Sequence, residues 1–114
     1  MSLSVEKEQP VSGTALFICE GEIDSHTFDT LDQEIKDAID SGVMKIILDL
    51  SKVTYISSAG IGVLIGSQNE VSGEGGTFIL ISLQPGVAKV FESMGFIEFF
   101  VIVPSLEQAL ATVK

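Results

Sequence analysis

Two serines in a row, Ser57 and Ser58, stand where an apolar stretch ending in Val53, Tyr55 and Ile56 gives way to a helical pattern. A hydroxyl at a helix start can accept from amide N–H groups that have no partner inside the helix. Those same N–H groups, with the positive end of the helix dipole, also favour a phosphate. A serine here can therefore be a cap, or the acceptor of a phosphoryl group. Asp24 follows an earlier apolar run and comes close to Ser58 if the two strands are neighbours. His26 stands two residues further on, so serine, histidine and aspartate invite a hydrolase reading. A hydrolase also needs a group that orients its base and donors for an oxyanion, and no such set is evident. The expectation is a protein that is not an enzyme.

The remaining chemistry-bearing residues narrow the classes. Cys19 is the only cysteine and lies in an apolar run, so it reads as a buried inert thiol in a reducing compartment. One cysteine and one histidine, far apart, make no metal-ligand cluster, and no phosphate-binding glycine loop follows a strand. No cofactor or metal is expected. Sixteen acidic residues oppose six lysines, a formal net charge of −10 without a single arginine. Nucleic acid and anionic membranes both require basic residues, so neither is an expected partner. The charge serves solubility, or attraction to a basic protein. No apolar run approaches the roughly 20 residues of a membrane span, and the N-terminus has no secretory pattern. A cytoplasmic location is expected.

The elements that must position these residues follow from periodicity. Residues 3–9 read as an opening strand, 10–13 as a turn, and 14–20 as a strand buried on both faces that Gly21 ends. Asp24, Ser25 and Thr27 can each cap a helix whose apolar stripe is Phe28, Leu31, Ile35, Ala38 and Ile39, with an acidic outer side. Residues 45–50 form a strand, Ser51 and Lys52 a short polar turn, and the central helix then runs from the serine pair to about 69–71. Ile61, Leu64 and Ile65 give that helix a face for a sheet. Ala59, Gly62 and Gly66 lie to one side, serving either close packing or the approach of a partner. Residues 72–76 read as a loop, 77–82 as a strand, 85–94 as a helix stopped by Gly95, 99–103 as a last strand, and 105 onward as a last helix. Strands alternating with helices predict one α/β domain over residues 1–114, with a mixed, mostly parallel sheet of four to five strands and about four helices. In such sheets, sites gather beyond the carboxyl ends of the strands, where residues 21–25 and 56–60 both emerge.

The stretches GEIDSHT (21–27) and DLSKVTYISSAGIGVL (49–64), in a chain of this length and element order, resemble the STAS domain family. More narrowly, they are similar to the stand-alone bacterial anti-sigma factor antagonists. The resemblance implies binding to an anti-sigma factor that is also an ATP-dependent serine kinase, so that a sigma factor is released. It implies that phosphorylation of one serine at the start of the central helix abolishes binding, and that a serine phosphatase restores it. The family pattern D-S-[ST or A]-G-[LI]-G places the acceptor at Ser58, with Ala59 and Gly60 after it, and Asp24 at the acidic position beside it. Ser57 stands where the pattern has aspartate, which leaves Ser57 as the alternative acceptor. The partner-binding set implied is Asp24, Ser57, Ser58, Ala59, Gly60, Gly62 and Gly66. Some STAS proteins are not phosphorylated and act as scaffold or relay subunits of larger signalling or transport complexes, which is the alternative function.

Overall fold

A computed structural model describes residues 2–113; Met1 and Lys114, the ends of the domain expected over 1–114, lie outside the described residues. The elements are β1 (Leu3–Val11), β2 (Thr14–Ile23), α1 (Phe28–Asp40), β3 (Lys45–Ile56), α2 (Ser58–Gly73), β4 (Thr77–Ile81), α3 (Pro85–Ser93), β5 (Val101–Val103) and α4 (Leu106–Thr112). The strands lie side by side in chain order. β1 is antiparallel to β2, and β2 through β5 run parallel. This is the single α/β domain that the alternation of patterns predicts.

Right-handed crossovers that all step the same way across a sheet place their helices on the same face. One core accordingly joins Leu31 and Ile35 of α1, Ile61 and Leu64 of α2, and Val87 and Phe91 of α3 to Phe17, Leu48 and Leu80 of the sheet. The opposite face is covered by α4, whose Ala109 packs with Leu16, Ile47 and Ile79. Successive strand residues point to opposite faces, so strands covered on both sides read as unbroken apolar runs rather than alternating ones.

The differences from expectation lie at strand and helix ends. Ser51 and Lys52 do not make a turn: β3 continues through them to Ile56. Ile18 pairs with Asp49 and Glu20 with Lys52, so β3 spends three residues where β2 spends two. That is a bulge, and the Ser51 N–H donates to Asp49 Oδ1 at 2.9 Å. A second register shift separates Gly21–Val53 from Glu22–Tyr55. β2 likewise runs past Gly21 to Ile23. Gly21 adopts φ +120, and a Cβ there would collide with the Ser2 carbonyl oxygen, so this glycine lets the strand continue instead of ending it. β1 extends over Pro10, which an edge strand accommodates. Helix α2 reaches Gly73, and β5 shrinks to three residues because 97–100 are spent in turns.

Candidate functional site

The carboxyl ends of β2 and β3 are neighbours, and they fix the site corner. Ile23 pairs with Ile56 in the ladder, and the Ser57 N–H donates to the Ile23 carbonyl at 2.9 Å. Asp24 and Ser58 thus each sit one residue beyond a bonded pair. The Asp24 backbone carbonyl accepts from the N–H groups of Thr27 (3.2 Å) and Phe28 (2.9 Å), which starts the turn into α1.

Asp24 is buried, at 4% exposure, although it is a carboxylate at a chain turn. Its Oδ1 accepts from the His26 N–H at 2.8 Å, and its Oδ2 is buried with no hydrogen-bond partner among the described residues. Thr27 is also buried; its hydroxyl donates to the Glu22 carbonyl at 2.7 Å and accepts from the Asp24 N–H at 3.0 Å. Thr27 occupies the N-cap of α1 without making a side-chain cap bond, because that hydroxyl is committed to the turn. Sequence reasoning treated Thr27 only as a cap candidate, although its spacing of three from Asp24 is the signal for the knot they form.

The two serines have different surroundings. Ser57 is extended (φ −95, ψ 172) and is the N-cap of α2, its Oγ accepting from the Gly60 N–H at 3.2 Å. It is half-buried, whereas Ser58, the first helical residue, is exposed. Ala59 is half-buried, Gly62 and Gly66 are exposed, and Gly60 is buried. A Cβ at Gly60 would lie 2.7 Å from Ile23 Cγ2, 2.9 Å from the Ile23 carbonyl oxygen and 2.9 Å from Ile56 Cγ1. Gly60 therefore lets α2 rest on the strand ends, buried against Ile23 and Ile56. At Gly62 and Gly66 an added Cβ would meet nothing within 4 Å. The small residues thus divide: Gly60 serves packing, and Gly62 and Gly66 leave an open strip on the outside of α2. Glu70 is the only charged residue of that helix.

One residue of this corner escaped the sequence pattern. Tyr55 is 45% exposed, two residues before the cap, and pairs in register with Glu22. The bulges shift the strand alternation there, so an aromatic in an apolar run faces out instead of in. Exposed tyrosine is a common anchor of protein interfaces.

The remaining candidates for chemistry stay apart from one another. His26 is exposed and serves the corner through its backbone N–H. Cys19 is fully buried; burial, with Asp49 adding to it, pushes its thiol up to about 12, so it stays a neutral core side chain. Among the described residues no three His, Cys, Asp or Glu side chains gather as a metal site, and no helix is long and apolar enough to cross a membrane.

This fold is shared with known proteins. The STAS domain profile matches residues 4–109, and the chain belongs to the STAS domain family. It is 32% identical over 114 residues to a Bordetella bronchiseptica protein provisionally named anti-sigma factor antagonist BtrV, covering all of this chain and 96% of that one. It also superposes on an anti-sigma factor antagonist of Mycobacterium paratuberculosis with a TM-score of 0.86 at 25% identity, covering 97% of this chain and 93% of the other. The Bacillus cell fate determinant SpoIIAA in its phosphorylated form matches with a TM-score of 0.75 at 25% identity, over 97% and 100% of the two chains.

Proposed function

We propose that this chain is an anti-sigma factor antagonist whose α2 surface binds a kinase-type anti-sigma factor and is switched off at Ser58. The observation that carries the assignment of the acceptor is the division of labour between the serines. The Ser57 hydroxyl holds the helix start together, and Ser58 stands exposed one residue later. The relatives bear regulatory names rather than enzymatic ones, and a phosphorylated relative shares the fold.

In the switch, Ser58 Oγ takes the γ-phosphoryl group of ATP bound by the partner kinase. A new P–O bond forms, ADP leaves, and the hydroxyl proton passes to a base of the kinase. The phosphate adds about −1.5 to −2 charges at pH 7. Amide groups at the start of α2 stabilise it locally, and the anchored turn of Asp24 and Thr27 gives the domain no reason to refold. A partner packed against Tyr55, Ser58, Gly62 and Gly66 then faces a charge it must desolvate or repel. A serine phosphatase removes the group by hydrolysis and restores the surface. Ser57 in place of aspartate takes one negative charge away from the phosphate's surroundings without losing the cap, since either side chain can accept from the amides.

Calorimetric titration of the unmodified chain and of Ser58→Asp with the cognate anti-sigma factor tests this reading. Tight binding by the first and none by the second is expected. Equal binding by both would favour the unphosphorylated scaffold or relay subunit.

A further inference from the structure

Helix α4 covers only part of its face of the sheet. It has seven residues and packs against β4 and β5, and a cavity of about 460 Å³ opens where it passes the start of β3. The lining is Val11, Lys45, Glu107, Leu110, Ala111 and Val113. The register explains how these residues meet. Leu16 and Ile47 face α4, and Thr14 and Lys45 precede them by two residues on β2 and β3. Strand residues two apart share a face, as do partners across a ladder. Thr14, which pairs with Val11 on one side and Lys45 on the other, therefore lies with both of them on the α4 side. Along α4, Glu107, Leu110 and Ala111 recur at three and four residues and stand on one side of the helix.

Small-ligand sites are concave and mostly apolar, with a few polar groups that fix orientation. This cavity has that form. Four of its six lining residues are apolar, and the other two carry opposite charges: Lys45, half-buried, and Glu107, exposed. They are not paired with each other, since the ion pair among the described residues joins Lys36 to Asp32. The Thr14 hydroxyl, between Val11 and Lys45 in the ladder, is buried with no hydrogen-bond partner among the described residues. Glu8 shares this side of the sheet through its partner Leu16 but does not line the cavity. An apolar acid would meet Lys45 and leave Glu107 against it, and an apolar amine would do the reverse. A ligand that carries both charges and an apolar side chain answers the whole lining.

We infer that this cavity binds a free α-amino acid with an apolar side chain, of the leucine or phenylalanine kind. The Lys45 ammonium takes its carboxylate and the Glu107 carboxylate takes its ammonium, both through charge-assisted hydrogen bonds. The side chain lies against Val11, Leu110 and Val113. Helix α2 packs on the opposite face of the sheet, and Ser58 follows the far end of β3 from Lys45. The amino acid therefore binds equally well in either state of the Ser58 switch.

The test is a titration of the isotopically labelled full chain with leucine, followed in its amide NMR spectrum near neutral pH. Shifts are expected at Val11, Lys45, Leu110 and Val113, and not at Ser58. Three probes each remove one part of the ligand. Glycine, without the side chain, should bind roughly tenfold more weakly or worse. Leucinamide lacks the carboxylate and N-acetylleucine the ammonium, and each should bind roughly two- to fivefold more weakly than leucine. Two variants assign the contacts: Lys45→Gln should bind leucine and leucinamide alike, and Glu107→Gln should bind leucine and N-acetylleucine alike. Ser58→Asp should bind leucine as the unaltered chain does. No shifts with leucine, or equal binding of glycine, would overturn the inference. N-acetylleucine binding as tightly as leucine would make the ligand a simple apolar acid, and tighter binding of dileucine would make it a peptide; either result would also overturn it.

Discussion

Helices α1 and α2 lie side by side on one face of the sheet, and they are built for different ends. α1 buries Leu31, Ile35, Ala38 and Ile39 and shows solvent a charged side, with Lys36 paired to Asp32 at 3.3 Å and Gln33 donating to Asp37 at 2.8 Å. Nothing on that outer side needs a partner. α2 buries Ile61, Leu64 and Val71 but shows solvent Ser58, Gly62 and Gly66, with no charge before Glu70. Glycine inside a helix costs about 0.5–1 kcal/mol relative to alanine, and at positions 62 and 66 no packing offsets that loss. The proposed contact surface would account for that cost on α2, whereas the outer face of α1 is a solvated surface.

Substitutions can break that comparison. The largest expected effect is on binding: Ser58→Asp, or Gly66→Leu on the same strip, should reduce affinity for the anti-sigma partner roughly a hundredfold or more without loss of folding stability. A larger charge change on α1, Asp37→Lys, should leave affinity nearly as it was, and calorimetry distinguishes the two helices directly. Next in size is Gly60→Ala. Its methyl group would press on Ile23 and Ile56, and urea unfolding should show a loss of about 1–3 kcal/mol. Ser57→Ala removes the cap of α2 and should cost about 1 kcal/mol in the same measurement. The smallest change is Gly62→Ala, which meets open space and should stabilise the chain by about 0.5–1 kcal/mol. Opposite signs at Gly60 and Gly62, two residues apart, sharpen the distinction between packing glycine and surface glycine.

Much of this molecule was legible in its sequence. The order of nine elements follows from periodicity, and the serine pair falls at the start of α2 as its hydroxyls suggest. What was not legible depends on neighbours. Ser51 and Lys52 look like a turn, because a polar pair inside an apolar run has that signature; the bulge against β2 keeps them in the strand. Gly21 looks like a strand end, yet its positive φ continues β2 beside the Ser2 backbone. The roles of the small residues of α2 were left open between packing and contact, since only the position of Ile23 shows that Gly60 is inside and Gly62 is not. The burial of Asp24 was equally hidden, because it depends on the hydrogen bonds of the turn to Thr27.

The central claim is that the neighbouring hydroxyls do different work, Ser57 as cap and Ser58 as acceptor. Incubating the chain with its anti-sigma kinase and ATP, followed by fragment mass spectrometry across residues 49–66, tests it most directly. A single phosphoryl group, on Ser58, is expected. A phosphate on Ser57, or none at all with an active kinase, would contradict it.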